Sequence, residues 1–416
     1  MTGFTQEYFT PFLLHLGAMT NHIGILNSAA NFFSSIIQLF SAELTNSLKS
    51  RKKLISICIL IQAASLLLLI FCIYKGLNLY SLFISLVVTF ISFGALLMPS
   101  WQSLLADYVD VDKRGDYFGW RSRNMGFTTV AAMIGAGLIL DHMKPINVAY
   151  GFMIIFSLAA LCRLISLYFL LRMQEPPIAY SREHQFTIIQ FFARIKSSNF
   201  AKFVVFVAMM NFSVNLAAPF FAVLMIRDLS FNYFLYTLIT IVAPLMVYMS
   251  VYRWGRHADI VGNLKIIKMT SRLIAILPIF WMIYQAPWYL VLAEMVSGFV
   301  WAGFNLCCAN FIYDAVTPPK RTRCIAYFNV VNGVALAAGA LLGGFMVDKL
   351  PPVFGYQIFT LFVISSVLRI IVAFTLSNRL QEVRKIENIN SLNIFFSMIR
   401  LRPIVGIDRQ TIRNIG

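Results

Sequence analysis

The sequence predicts an all-α polytopic membrane protein whose twelve transmembrane helices form two pseudo-symmetric six-helix bundles. Composition is the first reason: of 416 residues, 59% are hydrophobic and 12% charged, with a mean hydropathy of +0.76. A soluble domain carries about 45–50% apolar and about 25% charged residues. Spacing is the second, because apolar residues recur along the whole chain in blocks of about 20, enough to cross about 30 Å of hydrocarbon at the helical rise. The third is an internal repeat that relates the two halves.

Eleven blocks are long enough to span, near 22–45, 54–74, 79–104, 124–143, 148–171, 200–226, 231–252, 266–284, 288–313, 324–346 and 353–377. Residues 1–19, MTGFTQEYFTPFLLHLGAM, precede them and are short and polar at their start. Alternate connections share the 34 Lys and Arg unequally: the set at 49–53, 113–123, 172–202, 253–272, 320–323 and 379–413 holds 28, whereas the opposite set has Lys75, Lys144, Arg227 and Lys349. Such asymmetry marks the first set as cytoplasmic. Both termini are then cytoplasmic only if residues 1–19 also cross, which makes twelve helices. The expected divisions are a first bundle at 1–172, a link at 173–199, a second bundle at 200–378 and a basic tail at 379–416.

The formal charge of +17 is explained by residues flanking a bilayer with an anionic inner leaflet, so no nucleic-acid partner is implied. The expected location is the cell (inner) membrane. Six cysteines lie mostly inside apolar runs without a C-x-x-C pair, which supports neither a disulfide framework nor a metal site.

Shifting the chain by 207 lays 103–143 over 310–350 without a gap. Asp107 then meets Asp314, Lys113 meets Lys320, Arg114 meets Arg321, Gly126 meets Gly333, Gly137 meets Gly344 and Asp141 meets Asp348. A shift of 206 superposes Arg163 on Arg369, and one of 208 sets Pro11-Phe12 on Pro219-Phe220 and Glu7 on Asn215. The seventh span begins near Phe200, whose counterpart falls before Met1, so the first helix is expected to be N-terminally shortened.

A local motif follows the eighth span: Gly255-Arg256-His257-Ala258-Asp259-Ile260-Val261-Gly262. Its glycines let two helix ends approach closely, and its aspartate can accept from a neighbouring helix N-terminus or pair with an arginine. Together with the two six-helix halves and the polar link, this loop resembles the G-x-x-x-D-x-x-G loop of the major facilitator superfamily. The resemblance implies that Asp259 latches against the start of the fifth span, where Arg121 and Arg123 lie, with Asp107, Arg114, Asp314 and Arg321 at the matching cytoplasmic gates. The equivalent first-half loop, 41–48, lacks both glycines and the aspartate, so its latch should be weaker. Proton antiporters of this superfamily often carry a Gly-rich run ending in Gly-Pro. Here Ile139-Leu140 stand in that place, so proton exchange is not implied by the motif. Small residues in the fifth and eleventh spans (Gly135, Gly137, Gly339, Gly343, Gly344) read as close-packing positions.

Ionisable groups inside hydrocarbon are costly and so are functional candidates. Glu7 stands roughly 18 Å from the outer end of the first helix at the helical rise, near mid-bilayer. The resemblance places the first, fourth, seventh and tenth helices around the central cavity, where Glu7 would meet Asn211 and Asn215, an i, i+4 pair. In the tenth span Glu294, Gly298, Trp301 and Asn305 recur at offsets that keep them in one sector. A carboxylate, an indole N–H and an amide there suit a polar substrate, with Gly298 leaving room for it. Arg163 and Arg369 read as anchors whose stems reach the basic surface. The stretches 186–195 and 392–401 alternate in a way that suits amphipathic surface helices.

The expected function is secondary active transport of a small solute by alternating access, with protons as the coupling ion, by a monomer. A sensor or accessory protein on the same frame is the alternative. No H-E-x-x-H, G-x-S-x-G or P-loop pattern occurs, so neither an enzyme, a cofactor nor ATP-driven pumping is expected.

Overall fold

The computed structural model describes residues 1–77, 79–110, 114–176 and 198–383, with the side chains of 114–116 and 318–322 excepted. The amphipathic stretches expected at 186–195 and 392–401, most of the link and tail, Lys113, and the side chains of Arg114, Lys320 and Arg321 lie outside the described residues.

Two 3-10 turns, Thr2–Phe4 and Gln6–Tyr8, lead into a short helix α1, Phe9–His15. The first half continues with α2 (Thr20–Ile37, prolonged by Ser41–Leu48), α3 (Arg51–Tyr74), α4 (Tyr80–Tyr108), α5 (Arg114–Met143) and α6 (Val148–Arg172). The second comprises α7 (Asn199–Asn215), α8 (Tyr233–Val261), α9 (Asn263–Ile283), α10 (Pro287–Ala315), α11 (Pro318–Met346) and α12 (Gln357–Thr375). Past Asn215, α7 is interrupted at Pro219 and resumes as Phe220–Val223 and a π turn, Leu224–Asp228. Eleven helical segments among the described residues are long and apolar enough to cross a membrane. Local chemistry sets the starts: Ser50, Asn147, Ser198 and Asn232 cap α3, α6, α7 and α8 through their side-chain oxygens, and Pro287 and Pro318 open α10 and α11.

The pseudo-symmetry is visible in the packing. Within the first half α3 packs on α4 and α6; within the second, α9 packs on α10 and α12. Between the halves, α2 lies against α11 and α5 against α8, each contact being the repeat image of the other. Small residues permit these crossings. At Gly24 an added Cβ would lie 2.7 Å from Gly344 Cα and 2.8 Å from the Ala340 carbonyl oxygen. Gly333 faces Ser35, and Thr20 hydrogen-bonds Asp348 at the end of the same seam. Across the other seam, Gly137 meets Thr237 and Gly126 meets the Tyr248 ring.

Call the end carrying residues 49–53 and 253–272 the basic end, and the opposite one the charge-poor end. The apolar core forks between them. One cluster fills the charge-poor end and draws on both halves, from Phe9, Phe12 and Phe152 to Phe220, Trp281 and Phe359. At its centre the Phe12 ring lies 5.1 Å from Phe83 and 4.8 Å from Phe152 between centroids. At the basic end the core is split: Leu54, Ile59, Leu97 and Leu104 belong to the first half alone, and Phe203, Trp254, Ile267 and Phe311 to the second. The halves are thus fused at the charge-poor end and stand as separate bodies at the basic one.

Candidate functional site

Under the fused end, a cavity of about 260 Å³ opens between the halves. The turn before α1 contributes Glu7, α8 contributes Tyr236 and Thr240, α9 Trp281, α10 Glu294 and Trp301, and α12 Arg369. Prolines stand in three of the surrounding elements, Pro219 at the break after α7, Pro244 inside α8 and Pro278 inside α9. A proline cannot donate to the carbonyl four residues earlier, which leaves a main-chain acceptor for another partner. At Ile274, four residues before Pro278, the partner is Arg369, whose Nη1 donates to the carbonyl at 3.1 Å. Its Nη2 donates to the Val214 carbonyl at 3.3 Å.

Both halves fix the carboxylate side. The Tyr236 hydroxyl donates to the Glu7 main-chain carbonyl at 2.8 Å, and the Tyr8 hydroxyl sits 2.7 Å from both the Met133 carbonyl and the Thr237 hydroxyl. The Glu7 carbonyl is thus held by α8 and the adjacent Tyr8 by α5 and α8, while the Glu7 side chain lines the cavity. Glu294 has the Trp281 indole within hydrogen-bonding reach. Phe221 stacks edge-on against Trp281 at 4.8 Å, which gives the cavity an aromatic wall.

A second cavity of about 350 Å³ continues along α10 towards the basic end, lined by Asn211, Asn305, Asn329 and Asn332 with Tyr313. Asn211 donates to Asn332 at 3.0 Å, which ties α7 to α11. Glu294 and Asn305, eleven residues apart on α10, are separated by roughly 16 Å at the helical rise, so the two cavities stack along one path.

The sequence-derived site is therefore divided. Glu7, Glu294 and Trp301 share the first cavity; Asn211 and Asn305 line the second. Asn215 donates to the Leu336 carbonyl at 2.7 Å and lines neither, so it joins α7 to α11 rather than meeting Glu7. Gly298 does not make room for a ligand. An added Cβ there would come within 2.3 Å of the Ala243 carbonyl oxygen, because the residue is a contact point of α10 on α8. Arg369 is not a stem reaching the surface: it is 3% exposed and lines the first cavity. Sequence reading missed this role, although the proline at 278 and an arginine within an apolar span were signals.

At the basic end two gate candidates, Asp107 and Asp314, each have a partner within their own half. Arg51 Nη1 donates to Asp107 at 2.6 Å. Glu175 accepts from the Arg51 main-chain N–H at 2.6 Å and from the Ser50 hydroxyl at 2.5 Å, closing the N-terminus of α3. In the second half Asn263 donates to Asp314 at 2.7 Å, and Glu382 accepts from the Leu264 N–H at 2.8 Å, closing α9. Glu175 and Glu382 are 207 apart, each in a Gln-Glu pair, and so are a further match of the repeat that sequence reading passed over. A Cβ added at Gly255 would lie 3.7 Å from Leu306 of α10, and Gly262, at φ +88°, makes the sharp turn from α8 into α9. Asp259 is exposed on the last turn of α8, and Arg121 and Arg123 lie on α5. Ion pairs with both members described are Arg51 with Asp107 and Glu175, and Arg227 with Asp228.

Comparison with known proteins supplies the family. No curated relative matches the sequence. Among solved structures, a mutant of the nucleoside transporter NupG is 16% identical, with 91% of this chain and 96% of that one covered at a TM-score of 0.72. A bacterial homologue of the human lysosomal transporter Spinster, inward-facing and unoccupied, is 14% identical over 90% and 92% at 0.58. The human organic anion transporter MFSD10 (TETRAN) is 13% identical over 86% and 83% at 0.55. At such identities the likeness is one of fold. The family model described as Major Facilitator Superfamily matches residues 1–312 and 203–406. A membrane transporter frame of paired six-helix halves, closed by a shared core at one end and matched by that model along nearly its whole length, makes this chain a member of the major facilitator superfamily.

Proposed function

We propose that the chain is a secondary active transporter that carries a small solute by alternating access and couples it to protons through Glu7 and Glu294. The observation that carries this reading is the first cavity, which takes one carboxylate from each half and lies under a core fused at one end only. Rocking the halves about such a site would close the basic end and open the other. A carboxylate held in a small wet space of low dielectric can exchange a proton as access changes sides. The charge asymmetry of the connections favours a cytoplasmic basic end, so on this reading the arrangement described is inward-open, in a cell (inner) membrane, with a cytoplasmic carboxyl terminus. The protein acts as a monomer, since both halves of the site come from one chain.

Uptake into energised vesicles, with and without an uncoupler, tests the reading. Wild-type flux should fall with the uncoupler, and the Glu7→Gln, Glu294→Gln double variant should lose the proton-dependent part. Full proton-dependent uptake by that variant would remove the coupling assignment. A crosslink between α2 and α11 should stop flux; a protein unaffected by it is a static scaffold and not a transporter.

A further inference from the structure

Building on that transporter reading, we infer that the first cavity binds a small zwitterion, its anionic group at Arg369 and its cationic group among Glu7, Glu294 and the neighbouring rings. The argument begins with what Arg369 does and does not use. Two of its nitrogens donate to the neutral carbonyls of Ile274 and Val214, and its Nε is buried without a partner. The Ile274 carbonyl needs a donor because Pro278 has none to offer. An uncharged amide would satisfy that carbonyl equally well. The positive charge is the part of this side chain that packing does not require, and a charge inside the bilayer carries a high cost without a counter-ion.

Counter-ions are near but are held off. Glu7 and Glu294 line the same cavity, yet among the described residues neither forms an ion pair with Arg369. The frame keeps them apart: Arg369 is anchored to α9 and α7, and Glu7 to α8. The cavity they share, about 260 Å³, has room for a small molecule. A molecule with opposite charges at its two ends completes both sides at once. Rings suited to an ammonium group stand on the carboxylate side, Tyr236 at the Glu7 carbonyl and Trp281 at Glu294, where a cation gains from the aromatic faces.

Two contrasts sharpen the assignment. Arg163, the repeat image of Arg369, lies beside Cys58 and lines neither cavity, so duplication alone does not place an arginine here. The second cavity has no charged residue, its polar lining being four asparagines and Tyr313 among apolar side chains, and would suit passage more than capture of a zwitterion.

The test uses the full chain purified into nanodiscs and four probe sets in a thermal-shift assay: the proteinogenic amino acids with their betaines, the matching amines, the matching carboxylates, and uncharged sugars and nucleosides. A zwitterion should raise the melting temperature, and its amine and carboxylate fragments should do so less. Arg369→Gln should weaken that binding by at least about 30-fold, as expected for truncating one partner of a buried charge pair, and Arg369→Lys should weaken it less. Because Arg369→Gln could also loosen α9, it is repeated with Pro278→Ala, which returns an N–H to the Ile274 carbonyl. Recovered melting temperature with binding still lost supports the inference. Binding that returns with stability, an uncharged probe or an amine that binds the wild type and Arg369→Gln alike, or no shift with any zwitterion, overturns it. Arg369-dependent zwitterion binding with no flux in vesicles sinks the transporter reading and leaves this site standing. Uncoupler-sensitive flux of a neutral solute does the reverse.

Discussion

Replacing Gly344 by alanine should shift the protein away from the arrangement described, by an amount the packing allows to be worked out. A Cβ at Gly344 would sit 2.8 Å from Gly24 Cα and 3.3 Å from Gly24 N. Carbon atoms prefer about 3.5–4.0 Å, so α2 and α11 must part by roughly 1 Å where they cross. Overpacking of this size costs about 1–3 kcal/mol, and it acts only in the state where the two glycines touch. At 1.36 kcal/mol per decade, the equilibrium moves by about 5- to 150-fold towards a state in which this seam is open. The reporter is a disulfide between Thr20→Cys and Asp348→Cys, at a pair that hydrogen-bonds on the same seam. Crosslinking should be slower with Gly344→Ala and unchanged with Gly135→Ala, where an added Cβ meets nothing within 4 Å. Equal rates in both variants and in the parent would show that the glycine contact does not set the balance between states.

Glu175→Gln should destabilise the first half by about 1–2 kcal/mol, the usual range for a lost helix cap, and Glu382→Gln by less, because Glu175 also accepts from the Ser50 hydroxyl and faces Arg51. Melting temperatures of the two variants side by side check the order. Phe12→Ala should cost about 3–5 kcal/mol, since its ring touches Phe83, Phe152 and Phe156 in the core both halves share. Denaturant unfolding should show it, and a loss below about 1 kcal/mol would contradict the fused-core description. Asn215→Leu should lower stability by about 1 kcal/mol, removing the side-chain donor that joins α7 to the Leu336 carbonyl, while solute affinity measured by thermal shift stays at the wild-type value.

The fold was legible in the linear pattern to an unusual degree. Blocks of about 20 apolar residues must be helices in lipid, since no water is there to satisfy open main-chain groups. The 207-residue repeat relates the α2–α11 and α5–α8 contacts, and the glycines it matches, Gly126 with Gly333 and Gly137 with Gly344, are the residues found at those crossings. The site was legible only in part. Glu7, Glu294 and Trp301 do share a cavity, because a buried carboxylate is rare enough in an apolar run to stand out. Asn215 and Gly298 could not be placed by helical period, since each lies on a face turned to a neighbouring helix, and which neighbour approaches is not a local property.

What the sequence determined by itself is the set of helices, their alternation across the bilayer and their descent from a doubled unit, because hydrophobic length, charge bias and repetition are all written along one dimension. Tertiary structure alone decided that the core is fused at one end and forked at the other, that Glu175 and Glu382 close helix starts within their own halves, and that Arg369 turns from the surface into a cavity facing two carboxylates. These depend on which helices come to lie side by side and on which side chain fills the acceptor that Pro278 leaves, and such pairings join residues as far apart as Ile274 and Arg369 only once the chain has packed.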